Sequence, residues 1–307
     1  MRTAPSTRAR SRRSLTARVE ERWGLFFAAP AILGFLIFTL GPMVVSFVMS
    51  LTDWSIGAPI HFVGVDNYLR MTTDDRFWKS LTVTSYYTVG AVPALLIVGF
   101  FVAMLVNTGR QGKSFWRTIY YLPTLVPAVA SAVLWLWIFN PDSGLLNSML
   151  DMLGLPQSNW IYSESTAVPS LILMNTWGFG NAMVIFLAGL QGVPAQLYEA
   201  VEMDGGGGWT KFRHVTLPFM TPTIFYNLVV GVIGTFQVFN QAYIMTQGGP
   251  NNATLFYIFY LYTKAFTDSE MGYASALAWV LFVIVLVITV LLFRNSRWVY
   301  YEMGGTR

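Results

Sequence analysis

Glu199, Glu202 and Asp204 fall within six residues, four glycines follow at 205–208, and a basic, aromatic stretch from Trp209 to His214 then leads to Pro218 and Pro222. Carboxylates this close together, beside a run of glycine, make a polar hinge suited to cations or hydrogen-bond donors on something soluble. The whole segment, Tyr198 to Pro222, is set between long apolar stretches that are almost free of charge. Elsewhere the chain is poor in reactive groups. It has no cysteine, which removes disulfides, thiolate zinc ligands and a cysteine nucleophile. The nearest approach to a phosphate loop is GRQGKS at 109–114, but that loop needs a glycine five positions before Gly112, and Asn107 stands there. No nucleotide-hydrolysing site is expected.

The elements that must hold these residues follow from composition. Hydrophobic residues make up 54% of the 307 and charged ones 11%, against about 25% charged in a soluble domain. No water-facing surface can be assembled from that inventory, so the chain reads as one integral membrane domain. Apolar segments occur at 25–50, 81–106, 118–139, 168–190, 221–245 and 274–293. Each has about 20 residues or more, enough at ~1.5 Å rise to cross a hydrocarbon core of roughly 30 Å. The expected fold is all-α and polytopic, with six transmembrane helices spread over 25–293. None of the six contains Lys, Arg, Asp or Glu. Intramembrane charges mark ion paths and proton relays, so no site for proton coupling is evident.

Orientation comes from the loops. With the N-terminus inside, fifteen Lys and Arg fall on the cytoplasmic side and four, Arg70, Arg76, Lys79 and Lys264, on the other. Residues 1–24 then form a basic cytoplasmic tail carrying seven arginines, with no cleavage site as in a signal peptide. Residues 294–307 form a second cytoplasmic tail. His61 and His214 fall on opposite sides of the membrane and cannot share a metal. The 191–220 loop is cytoplasmic, between the fourth and fifth spans. Pro194 suits the first turn of a helix and Gly205 a terminus, which predicts a short surface helix from Ala195 to Met203. Leu197, Tyr198 and Val201 would share one flank. Glu199 and Glu202 would share another, where their repulsion suggests a positively charged partner. Trp209 to His214 would restart a helix, with Pro218 and Pro222 bending it.

These residues resemble the EAA loop of bacterial ABC importer permeases: Glu199, Ala200, Asp204, Gly205, Phe212, Leu217, Pro218 and Pro222 stand in its pattern. FVGVDNY at 62–68, WIFNPDSGLLN at 137–147, TQGGPNNAT at 246–254 and MGYASALAWVLF at 271–282 are similar to the carbohydrate branch of that family, in the same order. The resemblance implies a permease without its own ATPase site, whose loop docks into a cytoplasmic ATPase subunit through Glu199, Ala200, Asp204, Gly205, Phe212 and Pro218. It departs from the pattern at Gly206, where the family has Ala, and at Val201, which together are expected to loosen the turn. The 52–79 loop is too short for the folded insert of the larger maltose-type permease.

The implied partners are a second homologous permease, two ATPase subunits that bind the ATP and Mg, an extracytoplasmic solute-binding protein, a sugar and the membrane lipid. No cofactor, metal or nucleic acid is implied for this chain, and the implied location is the bacterial inner membrane. A path for a sugar must be built from neutral groups, since ring hydroxyls suit amides and C–H faces suit aromatic platforms. Asn175, Trp177, Gly178 and Asn181 cluster on the fourth span, and Thr235, Gln237, Asn240 and Gln241 on the fifth. Gly178, Asn181 and Thr235 fall near positions that contact sugar in the maltose-type permease. The competing role for these amides is hydrogen bonding between helices, which gains about 1 kcal/mol each. A neutral di- or oligosaccharide is the expected cargo, with glycerol phosphate as the alternative. A secondary transporter or an intramembrane hydrolase would need ionisable or catalytic groups at depth. The outer segments 141–165 and 248–270 are candidates for docking the binding protein or for an interfacial belt.

Overall fold

The computed structural model describes residues 15–108 and 112–300, with side chains from Trp23 onward. Most of the basic N-terminal tail, Arg110, the Gly109–Gln111 part of GRQGKS and residues 301–307 lie outside the described residues. Helices dominate: α1 (Leu15–Phe35), α2 (Gly41–Ser50), α3 (Asp66–Thr72), α4 (Asp75–Thr108), α5 (Lys113–Tyr121), α6 (Ala128–Ile138) and α7 (Leu145–Met152). They continue as α8 (Ala167–Trp177), α9 (Gly180–Gln191), α10 (Ala195–Met203), α11 (Gly208–Lys211), α12 (Leu217–Phe236), α13 (Tyr257–Tyr262) and α14 (Met271–Arg294). The only β-pairing among the described residues is an isolated bridge between Thr52 and Phe62.

Four helical runs are long and apolar enough to cross a membrane: Trp23–Ser50, Asp75–Thr108, Gly208–Phe236 and Met271–Arg294. The 118–139 and 168–190 segments, expected as single helices, are each broken. Lys113–Leu125 and Ala128–Ile138 meet at 94°, and Ala167–Trp177 and Gly180–Gln191 at 48°. Counting each bent pair as one span gives six. The right-angle break follows from Pro127, which forces Val126 into an extended conformation with ψ 124°. The fifth span also shifts: its helix begins at Gly208 and stops at Phe236, where 221–245 was expected. A π turn at Phe212–Thr216 carries the helix past Pro218, whose ring would otherwise meet the carbonyl four residues back.

α4 is the spine. Its 34 residues make about 51 Å of helix, and it packs along α8, α9 and α12. Tyr87, Phe139, Ile161, Leu171 and Phe256 bury one cluster against its first half. Phe100, Ala103, Met183, Phe186 and Met220 bury another against its second half. A third cluster, with Tyr257, Tyr260, Tyr273 and Leu277, joins α13 and α14.

Residues 248–270, expected as an outer loop, include α13, whose Tyr257 and Tyr260 are buried. Its first free amide, that of Tyr257, donates to Thr84 Oγ1 at 2.9 Å, and the Tyr257 hydroxyl donates to the Leu277 carbonyl at 2.9 Å. These bonds satisfy groups that a buried helix end would otherwise leave unpaired.

Asp74 ties this end of the bundle together. One carboxylate oxygen accepts the amides of Arg76 at 3.0 Å and Phe77 at 3.3 Å and so caps α4. The other accepts the hydroxyls of Tyr273, at 2.6 Å, and Tyr260. Partial burial disfavours the charged form, but the hydrogen bonds from Tyr260, Tyr273, Phe77 and Arg76 outweigh it and hold the carboxyl below the usual carboxylate range. Arg70 and Lys264 meet Glu270 beside it, at 2.9 and 3.5 Å.

Asp74→Ala is expected to cost about 1–3 kcal/mol by leaving buried donors without an acceptor, measured as a lower melting midpoint in detergent. Because the folded value is depressed, this contribution is present above the unfolded value near 3.9 and is lost as pH falls through the folded value. The difference between variant and unmodified protein should therefore hold from neutral pH to about pH 5 and narrow below about pH 4.

Candidate functional site

The glycine-rich loop forms a closed turn at one end of the bundle. α10 spans Ala195–Met203, the range expected from Pro194 and Gly205. Gly205 adopts φ +76°, which only glycine enters without penalty. Its amide donates to the Glu202 carbonyl at 3.0 Å, while the Gly206 amide reaches back to the Val201 carbonyl at 2.8 Å. This pair of bonds is a Schellman cap.

Gly206 does not loosen the turn as expected. A Cβ there would lie 2.5 Å from Val201 Cγ1 and 2.9 Å from the Val201 carbonyl oxygen. The two departures from the family pattern, Gly206 and Val201, fit each other.

Leu197, Tyr198 and Val201 form the half-buried flank of α10, and Glu199, Ala200, Glu202 and Asp204 are exposed. Tyr198 Oη lies 3.1 Å from Thr216 Oγ1 and anchors that flank. Glu202 finds its positive partner within the chain, Lys211 across the turn. Glu199 has no ion-pair partner among the described residues. Met203 and Trp209 are 89% and 71% exposed, so the tip of the loop is partly apolar. Phe212 turns inward, 5.4 Å from Trp209 and 6.3 Å from Phe100, and joins the loop to the second-half cluster of α4. Pro218 lies in the first turn of α12.

The neutral polar residues gather around two adjoining cavities. One, of about 240 Å³, is lined by Thr124, Ser131, Asn175, Trp177, Gly178, Asn181 and Gln241, among others. The second, of about 430 Å³, is lined by Thr235, Gln237, Phe239, Asn240, Asn175 and Gln241, with Val92, Leu95, Gly231, Gly234 and Val238 completing it. Asn175 and Gln241 belong to both. All six residues expected on a path, Trp177, Gly178, Asn181, Thr235, Gln237 and Asn240, thus line one cavity or the other.

They do not sit on unbroken helices. Gly178 caps α8 at the 48° break, and Gln237 caps α12 ahead of a short non-helical stretch. The amide of Asn227 is spent on its own helix, donating to the Thr223 carbonyl at 2.9 Å. Thr235 likewise donates to the Gly231 carbonyl at 2.9 Å. The side-chain amides of Asn175, Asn181, Gln237, Asn240 and Gln241 line these cavities and make no hydrogen bond to another described residue. No Lys, Arg, Asp, Glu or His lines either cavity.

Sequence reasoning missed Thr124 and Ser131, which the right-angle break brings to the first cavity, and Phe239, an aromatic wall of the second. The signal for the first two was the pair Pro123 and Pro127 inside an apolar stretch.

The family described as "Binding-protein-dependent transport system inner membrane component" matches residues 95–300. The chain is 40% identical over 297 residues to the "Probable ABC transporter permease protein YesP" of Bacillus subtilis, covering 95% of this chain and 96% of that one. It is 33% identical over 274 residues to the "Arabinooligosaccharides transport system permease protein AraP" of Bacillus subtilis, covering 88% and 87%. Among solved structures, a chain of a bacterial alginate ABC transporter, in complex with an alginate pentasaccharide-bound periplasmic protein, superposes with a TM-score of 0.81 at 23% identity, covering 92% of this chain and 97% of that one. That likeness is one of fold.

Gly206→Ala is expected to force the Schellman turn apart, at a cost of about 1–3 kcal/mol, and to raise amide hydrogen exchange across 195–211 about tenfold. Gly207 has φ −82° and open space around it, so Gly207→Ala should leave exchange there unchanged. Hydrogen exchange read by mass spectrometry compares the two.

Proposed function

The chain belongs to the binding-protein-dependent transport system inner membrane components, and from that premise we propose that it is the permease subunit of an ATP-driven importer carrying a neutral di- or oligosaccharide. The observation that carries this reading is the pair of adjoining cavities, walled by five unpartnered amides, Trp177 and Phe239, with no ionisable side chain. Amide groups match ring hydroxyls in both directions, since each has a donor and an acceptor. Aromatic faces match the C–H faces of a sugar. An anionic cargo such as glycerol phosphate would want a cation or a helix N-terminus facing it, and the lining supplies no cation. The name of the arabinooligosaccharide permease relative supports the same class of cargo.

In this reading the 191–220 loop faces the cytoplasm and meets an ATPase subunit. Glu199, Ala200, Asp204 and Gly205 present the contact surface, and Phe212 and Pro218 relay movement into α12. ATP and its Mg²⁺ are held by two such ATPase subunits, and the permease itself performs no hydrolysis. A second homologous permease completes the membrane part, and an extracytoplasmic binding protein delivers cargo at the Asp74 end. The six spans cross a bacterial inner membrane with both termini inside, as the excess of cytoplasmic Lys and Arg supports.

Purification of the chain from its native membrane in mild detergent is expected to bring with it an ATPase subunit and a second permease. Gly205→Val places a β-branched residue at φ +76°, a strain of about 1–2 kcal/mol or more. The variant should remain in the membrane yet lose at least about tenfold in ATP-driven uptake. Normal ATP-driven uptake by this variant would overturn the docking role of the loop. Recovery of the chain alone, transporting without any ATPase, would return a secondary-transport mechanism to first place.

A further inference from the structure

Trp135 stands one turn beyond the smaller cavity. Ala128 and Ser131 line that cavity, and Trp135 follows them at helical spacing on the same face of α6. Its ring meets Trp177, a cavity wall, edge-on at 5.9 Å. It also packs on Phe139 at 4.9 Å, which in turn lies 5.5 Å from Trp160. These aromatic rings, with Tyr87, Ile161, Leu171 and Phe256, close the bundle between the cavity and the end opposite α10.

The packing is apolar, yet it encloses two polar atoms that find no protein partner. Trp135 is 7% exposed, and its indole Nε1–H has no acceptor; Tyr87 is fully buried, and its hydroxyl is equally unmatched. Folded proteins leave few such groups, and each disfavours the arrangement that buries it. Two of them in one cluster, against a cavity wall, mark a packing that is costly to hold closed. α6 joins the preceding helix through the extended Val126–Pro127 bend, which is the point about which it would swing.

Resting on the carbohydrate reading above, we propose that Trp135 is the seal of the amide-lined cavity on its side away from α10. When α6 swings and Trp177 turns aside, the Trp135 indole N–H donates to a cargo hydroxyl. The residue is then a specificity determinant as well as a gate: closed, it excludes cargo and leaves its donor unmet; open, it offers a donor and an aromatic face to a sugar ring. Tyr87, behind it, gains access to solvent or cargo in the same movement. The energetic preference for opening is thereby linked to the presence of a ligand with hydroxyl groups.

Trp135→Phe keeps an aromatic ring and removes the donor. The test uses the assembled importer in proteoliposomes, with radiolabelled malto- and arabino-oligosaccharides as probes, and the melting midpoint of the purified chain in detergent. The expected result is a KM raised about tenfold, the size of one neutral hydrogen bond, with kcat changed less than about twofold; the midpoint reads the packing lost with the smaller ring and checks that the variant is folded at the assay temperature. A folded variant with KM unchanged within about twofold would overturn the proposal. Failure of the unmodified importer to take up either series would instead remove the carbohydrate reading, and this inference with it.

Discussion

Within hydrocarbon a chain must satisfy its backbone donors and acceptors itself, and it can leave the helix only where it faces protein or a polar cavity. That constraint organises this molecule. Breaks occur at Val126–Pro127, at Gly178 and after Phe236, and all three open onto the same pair of cavities. The interruptions and the cavities are one feature: amide and carbonyl groups freed from helical ladders are gathered where five side-chain amides are also unpartnered. α4, by contrast, runs unbroken through Pro93 and supplies the cavity with only Val92 and Leu95. A continuous spine beside broken neighbours gives a fixed wall and movable ones.

The two ends of the site are joined by a single element. From Gly208, in the four-glycine turn, to Phe236, at the cavity, the helical run is continuous over 29 residues, about 43 Å. Phe212 and Met220 seat its first half against α4 and α9, and Thr235 and Gln237 end it at the cavity. Under the proposed function, a push on the exposed face of α10 passes through the glycine turn and Phe212 into this one continuous helix and so reaches the path. The Schellman cap and the Glu202–Lys211 pair close the turn through which such a push would pass.

Much of this was legible in the residues. Charge-free stretches revealed a membrane protein, and Pro194 with Gly205 bounded α10 correctly. The six residues expected on a path, all of which line the cavities, stood out as three amides, a glycine, a threonine and a tryptophan in apolar surroundings. Three features were not legible, each for a physical reason. Hydropathy does not distinguish a straight helix from two joined at a right angle, so 118–139 read as one span although Pro123 and Pro127 flank its turn. α13 lies in a stretch of Tyr, Phe, Asn and Gly that suits a loop, and only the pairing of Tyr257 with Thr84 and Leu277 makes it a buried helix. The fifth span was expected at 221–245, with Trp209 to His214 as a helix restarting ahead of it, so that Lys211, Arg213 and His214 fell outside the span. The helix instead begins at Gly208 and carries those residues within its first two turns.

Under the proposed function, charge is distributed in the way a neutral cargo requires. At one end Arg70, Lys264, Asp268 and Glu270 are tied to one another, and Asp74 to Tyr260 and Tyr273. At the other, Glu202 is tied to Lys211. Between these two ends the cavity walls carry none. A charge brought to that depth would lose its water and gain no counter-ion, a penalty of several kcal/mol per ion after relaxation. A hydroxylated ring loses less on desolvation and recovers it from Asn175, Asn181, Gln237, Asn240 and Gln241, whose own hydrogen-bonding capacity is otherwise unspent. The same unspent capacity makes the site indifferent to which hydroxyl meets which amide. Under the proposed function, discrimination among sugars then comes from the shape of the aromatic walls, Trp177 on one cavity and Phe239 on the other, together with Trp135 at the seal, since rings reject by fit where amides accept broadly.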